Sequence, residues 1–121
     1  MILDRPLSPV DIEQHILELT NRISRGIQVY TKRYAEFLAA DRDYDRAFAQ
    51  AYFSAEGSVE DRKKSAELKT YQERERRDVA EVAHKQADKL HKALSDELRA
   101  FQSIGASVRQ AYAVAGRGEG A

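Results

Sequence analysis

Four side chains in the second half of the chain have the types and spacing of metal ligands. Glu81 and His84 form a Glu-x-x-His pair, and Asp88 and His91 follow at helical steps. In helical bundles that bind two iron ions, carboxylates from other helices complete such a motif at the same level. The helix expected opposite presents Tyr30 there instead. We therefore predict no metal site and no cofactor, with these side chains at the edge of the helix or in solvent.

Nucleophilic and phosphate-binding chemistry is not indicated either. The chain has no cysteine, and its serines stand at predicted helix caps or on mixed faces, without a neighbouring His–Asp pair. A phosphate loop follows a strand and opens a helix. The glycine-rich segment that starts at Gly116 does neither in the predicted structure. The sequence therefore predicts no catalytic residues and a protein that is not an enzyme.

A group of aromatic and charged side chains near the middle of the chain is typical of a binding surface. Single-strand nucleic-acid binders combine stacking rings with cations in this way. Residues 60–78, however, carry six acidic beside seven basic residues, and exposed apolar surface more commonly binds protein. We predict a protein partner, with single-stranded nucleic acid as the alternative. The candidate residues are Asp41, Tyr44, Phe48, Tyr52, Phe53, Arg62, Lys63, Lys69 and Arg76.

Two long helical patterns position these residues, and they meet at Glu56-Gly57-Ser58. Gly57 can adopt the left-handed conformation that ends a helix, while Ser58 and Asp61 can cap the next one. Apolar residues recur every three or four positions before this turn, and again from Ala80 onward, as in an amphipathic helix. The segment between the turn and Val79 is helical by propensity but has no apolar face of its own. The predicted segments are a leader at 1–8, a first helix at about 9–55, a turn at 56–58, a second helix at about 59–104 with a possible extension to 114, and a flexible tail at 115–121.

Folding the chain at Gly57 places residue i roughly opposite residue 114 − i, which predicts a long antiparallel two-helix hairpin. Far from the turn the faces match, since Tyr30 and Tyr34 meet alanines. Near the turn they do not match, because aromatic residues of the first helix face polar residues of the second. The predicted core-facing positions there are Ser65, Lys69, Gln72 and Arg76. Asp41, on the apolar stripe, faces Arg74, Arg76 and Arg77. Two interpretations stay open: an internal Asp41–Arg pair that sets the register, or a docking surface for a partner or a second protomer.

The composition limits the class of protein. The chain has 121 residues, a formal net charge of zero and no cysteine, which predicts one domain and is compatible with the cytoplasm. No apolar run approaches the roughly 20 residues that span a bilayer. Because a lone helix pair leaves most of each apolar stripe in water, we predict a homodimer, or a larger assembly, that completes a four-helix bundle. A structural coiled-coil spacer is a further alternative.

Two segments form a recognisable pattern together. They are Ala55-Glu56-Gly57-Ser58-Val59, Arg62-Lys63 and Ala66-Glu67-Leu68 at the turn, and Leu94, Leu98, Phe101-Gln102-Ser103-Ile104 and Arg109 near the end of the second helix. This pattern resembles small helical-hairpin proteins that are encoded by tailed bacteriophages and prophages. The resemblance covers about the second half of the chain and carries no catalytic residue. It implies a phage accessory or assembly protein in the host cytoplasm, associated with replication and recombination functions.

Overall fold

Three α-helices make up most of the protein. The computed structural model describes residues 7–119, which form α1 (Pro9–Ser54), α2 (Val59–Lys69) and α3 (Tyr71–Glu119). Within these described residues there is no β-strand. The predicted all-α class is confirmed, but residues 7–119 form three helices and not the predicted two.

Both helix starts that the sequence indicates carry a side-chain cap. At α1, the Asp11 backbone N–H donates to Ser8 Oγ at 3.2 Å, and the Ser8 N–H donates to Asp11 Oδ2 at 3.3 Å. Ser58 and Asp61 form the same reciprocal capping box at α2. Gly57, before this cap, has a φ of 106°. This left-handed backbone is accessible to glycine at little cost, so the chain stops and restarts where the sequence predicted.

Thr70 interrupts the predicted second helix and divides it into α2 and α3. Its hydroxyl donates to the Ala66 carbonyl at 2.6 Å, and its own N–H donates to the same oxygen at 3.0 Å. A threonine that bonds back to the preceding turn in this way bends a helix. A single helix over 59–104 was therefore a wrong prediction.

The far end of α3 also differs from the prediction. The helix continues to Glu119, so residues 115–119 are helical where a flexible tail was expected, and residues 120–121 lie outside the described residues. Gly105 lies buried inside α3. A Cβ atom there would stand 3.1 Å from Ile12 Cγ2, so the missing side chain lets α1 approach closely. Of the predicted leader, residues 1–6 likewise lie outside the described part.

The chain divides into two compact units, each with its own segments of α1 and α3. The first comprises Met1–Ile27 and Leu90–Ala121. In it, α1 packs antiparallel to α3, with Ile12 beside Gly105 and the ring of His15 4.0 Å from that of Phe101. The apolar side chains Ile12, Leu19 and Leu94 are buried. This small core fits the narrow apolar stripe in the sequence.

The second unit, Gln28–Lys89, contains α2 and the segments of α1 and α3 on either side of it. Here Tyr30 contacts His84 and Asp41 contacts Arg77, so α1 and α3 are again antiparallel. The 114 − i rule holds for Tyr30 but assigns Asp41 to position 73, four residues from Arg77. Near the turn the register is therefore displaced by about one helical turn.

Two glycines provide a matched pair of predictions about stability. Gly26 lies inside α1, and a Cβ there would have no neighbour within 4 Å. Alanine at Gly26 is expected to stabilise the protein by about 1 kcal/mol. Alanine at Gly57 is expected to destabilise it by about 1–3 kcal/mol, because φ is left-handed and the Cβ would lie 2.9 Å from Asp61 Oδ2. Urea denaturation followed by circular dichroism measures both changes; shifts in the same direction would contradict the different roles assigned to the two glycines.

Candidate interaction surface near the turn

Asp41 and Tyr44 of α1 both contact Arg77 of α3. Arg77 Nε lies 3.4 Å from Asp41 Oδ1, and the Arg77 guanidinium lies 5.4 Å from the centre of the Tyr44 ring. Asp41 therefore forms an internal ion pair with an arginine, which is the first of the two interpretations of the sequence. The two side chains keep 39% and 32% of their surface exposed, so neither charge is deeply buried. Such a pair contributes at most about 1 kcal/mol.

The face of α2 and α3 that is turned inward differs from the prediction by one position. Ala66 and Thr70 are buried, and Arg62, Glu73 and Arg77 each have a buried side-chain atom. These residues follow one another at the 3.6-residue period of an α-helix. The predicted positions have the same spacing, and each lies one residue before an observed one; they are Ser65, Lys69, Gln72 and Arg76. The spacing was therefore right, and a constant offset of one residue moved the prediction onto the neighbouring side of the helix.

The inward polar side chains are incompletely paired. Arg62 Nε and Glu73 Oε2 are buried without a hydrogen-bond partner among the described residues, and Arg77 Nε has only its 3.4 Å ion-pair contact with Asp41 Oδ1. The other oxygen of Glu73 is 3.7 Å from Arg76 Nη2. A buried polar atom without a hydrogen bond costs about 1–3 kcal/mol. The contact between α1 and this face is therefore weaker than an apolar one of the same size.

The remaining candidate residues divide into an inner and an outer set. Phe48 is half-buried, with its ring 6.1 Å from that of Tyr44. Tyr52 is half-buried and meets Phe53 edge-on at 5.9 Å, but Phe53 itself is 82% exposed. Lys63, Lys69 and Arg76 are exposed. The structure thus brings Asp41 and Tyr44 together with Arg77, places Phe48 beside Tyr44, and leaves the predicted lysines exposed.

A cleft of about 320 Å³ opens where the three helices meet, beside the break at Thr70. Two of its walls are unusually exposed apolar residues, Leu68 at 81% and Tyr71 at 67%. Sequence reasoning missed both, because neither lies on the predicted apolar stripe. The available signal was that both residues are apolar at positions where the predicted helix exposes its side chains to solvent. The turn cleft, as we call it, is lined by Tyr44, Lys64, Glu67, Leu68, Tyr71 and Arg74.

The turn cleft carries a net positive charge. Lys64 Nζ lies 3.6 Å from a carboxylate oxygen of Glu67 and 4.0 Å from one of Glu60. The Arg74 side chain forms no ion pair with any residue in the described range 7–119. An exposed guanidinium beside two tyrosine rings can bind a carboxylate or a phosphate while the rings contact an apolar or aromatic group.

Two of the four candidate metal ligands, Glu81 and His84, contact other side chains. Lys85 Nζ donates a hydrogen bond to Glu81 Oε1 at 2.9 Å, and this bond lowers the pKa of the Glu81 carboxyl. The His84 ring packs against Tyr34, with 4.9 Å between ring centres, and against Tyr30 and Phe37. Within the described residues, no group of three or more His, Cys, Asp or Glu side chains could hold a metal ion.

The fold and the surface define an all-α protein with an aromatic, partly basic cleft. No helix within the described residues is long and apolar enough to cross a membrane. Comparison with protein-family models, with curated proteins and with solved structures found no match for the chain. A function for this protein therefore has to be inferred from the chain's own residues.

Proposed function

We propose that this protein is a non-enzymatic helical interaction protein that self-associates and binds another protein. The observation that carries the proposal is the distribution of apolar side chains in the described residues. Only four apolar residues of this part of the chain are buried, whereas fifteen large ones are exposed. Small single cores are marginal on their own, and extensive exposed apolar surface is typical of association sites.

The exposed apolar residues of α3 support dimerisation in particular. Tyr71, Val79 and Val82 are all exposed, and their spacing places them on one side of the helix. The side of α3 that faces α1 carries His84 and Arg77 instead. A second copy that covers the Tyr71–Val82 side would complete the four-helix bundle proposed for the dimer.

The resemblance at the turn and near the end of α3 supports a role as a phage-encoded accessory or assembly protein in the host cytoplasm. This role needs no catalytic residue, and it agrees with a surface of exposed apolar side chains and mixed charges. The protein that it would bind besides a second copy of itself has to present apolar side chains to this surface.

Light scattering coupled to size-exclusion chromatography tests self-association. We expect a mass of about twice the 13.7 kDa of the chain at micromolar concentration, decreasing on dilution. Serine at both Val79 and Val82 is expected to weaken the dimer, because it removes apolar area from the proposed interface. A wild-type protein that stays at 13.7 kDa throughout the micromolar range would overturn the proposal.

Single-stranded nucleic acid is the second candidate partner, favoured by the turn cleft alone. Its two tyrosine rings and two cations match the stacking and charge contacts of single-strand binders. Fluorescence anisotropy with labelled oligonucleotides at low salt is the test. Binding that weakens with added salt and is lost in Tyr71→Ala would support it, whereas no binding at low salt would exclude it.

A further inference from the structure

The turn carries an exposed apolar ring next to acidic side chains. Phe53 is 82% exposed although it lies in the last turn of α1. Residues 53–61 contain three acidic residues and no basic one. Glu56, at the tip, is exposed and forms no ion pair with the described residues. The turn tip, defined as residues 53–56, therefore presents an exposed phenyl ring and, three residues later, an exposed carboxylate without an ion pair among the described residues.

The turn cleft offers the complementary chemistry. Leu68, Tyr71 and Tyr44 supply apolar and aromatic walls, and Arg74 supplies the guanidinium that has no ion pair within the described residues. Aromatic rings pack edge-to-face or offset against one another, and a carboxylate is the preferred partner of a guanidinium. Both the ring and the charge of the tip thus find counterparts in the cleft.

The tip does not fill the cleft of its own chain. Phe53 is held by the helical backbone of α1, nine residues beyond Tyr44, which corresponds to about 13 Å along the helix. In that position it keeps 82% of its surface exposed. A ring that occupies the cleft has to come from another molecule.

We propose that the turn tip of a second copy of this chain docks in the turn cleft, with Phe53 between Leu68 and Tyr71 and Glu56 on Arg74. The inference rests on the proposed self-association and assigns residues to it. Tip and cleft lie in the same unit, Gln28–Lys89. A two-fold axis that lies midway between the tip and the cleft makes the contact reciprocal. The tip of each copy then docks in the cleft of the other. Such an interface is closed and stops at a dimer.

The apolar and charged parts of this contact have different roles. Burial of two phenyl rings per dimer supplies most of the free energy of this contact. The two Glu56–Arg74 pairs are exposed at the rim, and they contribute mainly register and specificity. A charge reversal is therefore expected to weaken the dimer less than loss of the ring.

The first test replaces Phe53 with serine. We expect the dissociation constant of the dimer, measured by analytical ultracentrifugation, to rise at least about tenfold. Val29→Ser is the matched control, since Val29 is an exposed apolar residue of α1 in the same unit. It is expected to leave the constant unchanged. Circular dichroism checks that both variants stay folded, which their exposed positions favour.

The second test exchanges the charges. Glu56→Arg and Arg74→Glu should each raise the dissociation constant by about twofold to fivefold, and the double variant should restore it. The docking would be overturned if Phe53→Ser kept the dissociation constant of the wild type, or if Phe53→Ser and Val29→Ser raised it equally. The proposed self-association would stand in both cases. Single charge reversals without effect, or a double variant that is not rescued, would overturn the docking too. A monomeric wild-type protein would overturn both proposals.

Discussion

Replacing Leu19 with alanine is expected to destabilise the protein by about 2–5 kcal/mol. Leu19 has no exposed surface, and it is one of three buried apolar residues in the described part of its unit, with Ile12 and Leu94. Truncation removes apolar contacts and leaves a space that two rigid helices can fill only in part. In so small a core no other buried side chain compensates for the loss.

The control for this change lies two positions away in the same helix. Leu17 is 61% exposed, so Leu17→Ala is expected to change stability by less than about 1 kcal/mol. Urea denaturation, followed by circular dichroism at one fixed protein concentration, compares the two variants, because a dimer's stability depends on concentration. Equal losses for the two would contradict the assignment of Leu19 to the core.

The second large effect is expected at His84. Its ring contacts Tyr30, Tyr34 and Phe37, with ring centres 4.9–6.1 Å apart. Alanine at this position removes all three contacts and is expected to cost about 2–4 kcal/mol. His84 Nδ1 is buried without a hydrogen-bond partner among the described residues. Phenylalanine keeps a ring and removes that polar atom, so His84→Phe is expected to be at least as stable as the wild type.

Thermal and urea denaturation of the two His84 variants distinguish a packing role from a polar one. If His84→Phe loses as much stability as His84→Ala, the imidazole nitrogens matter more than the ring contacts, and the packing role is wrong. Tyrosine fluorescence provides a local check, because Tyr30 and Tyr34 both contact the substituted ring.

The parts of the fold that depend on local interactions could be predicted from the sequence. The start of α1 at Pro9, the stop at Gly57 and the cap at Ser58 each depend on a few adjacent residues. The all-α class follows from apolar periodicity, which a long helix repeats many times. The Asp41–Arg77 contact could be predicted as an Asp41–Arg pair, because a single charge on an apolar stripe needs a partner nearby.

Other features depend on small differences that a sequence pattern does not resolve. The break at Thr70 depends on one hydroxyl hydrogen bond to Ala66, and threonine often occurs in unbroken helices. The inward face of α2 differed because the predicted positions were offset by one residue, which corresponds to a rotation of about 100° around the helix axis. The turn cleft follows from both features together, which is why Leu68 and Tyr71 did not appear as candidates.

The break at Thr70 also makes the cleft conditional on a local folding equilibrium. An eleven-residue helix such as α2 is marginal in isolation, and its one fully buried side chain is that of Ala66. When α2 unfolds locally, the cleft loses Lys64, Glu67 and Leu68 and keeps Tyr44, Tyr71 and Arg74. Whatever occupies the cleft therefore binds the folded form of α2 preferentially and shifts this equilibrium towards it. Occupancy and helix formation are thermodynamically linked, so a change that only loosens α2 weakens binding without touching a contact residue.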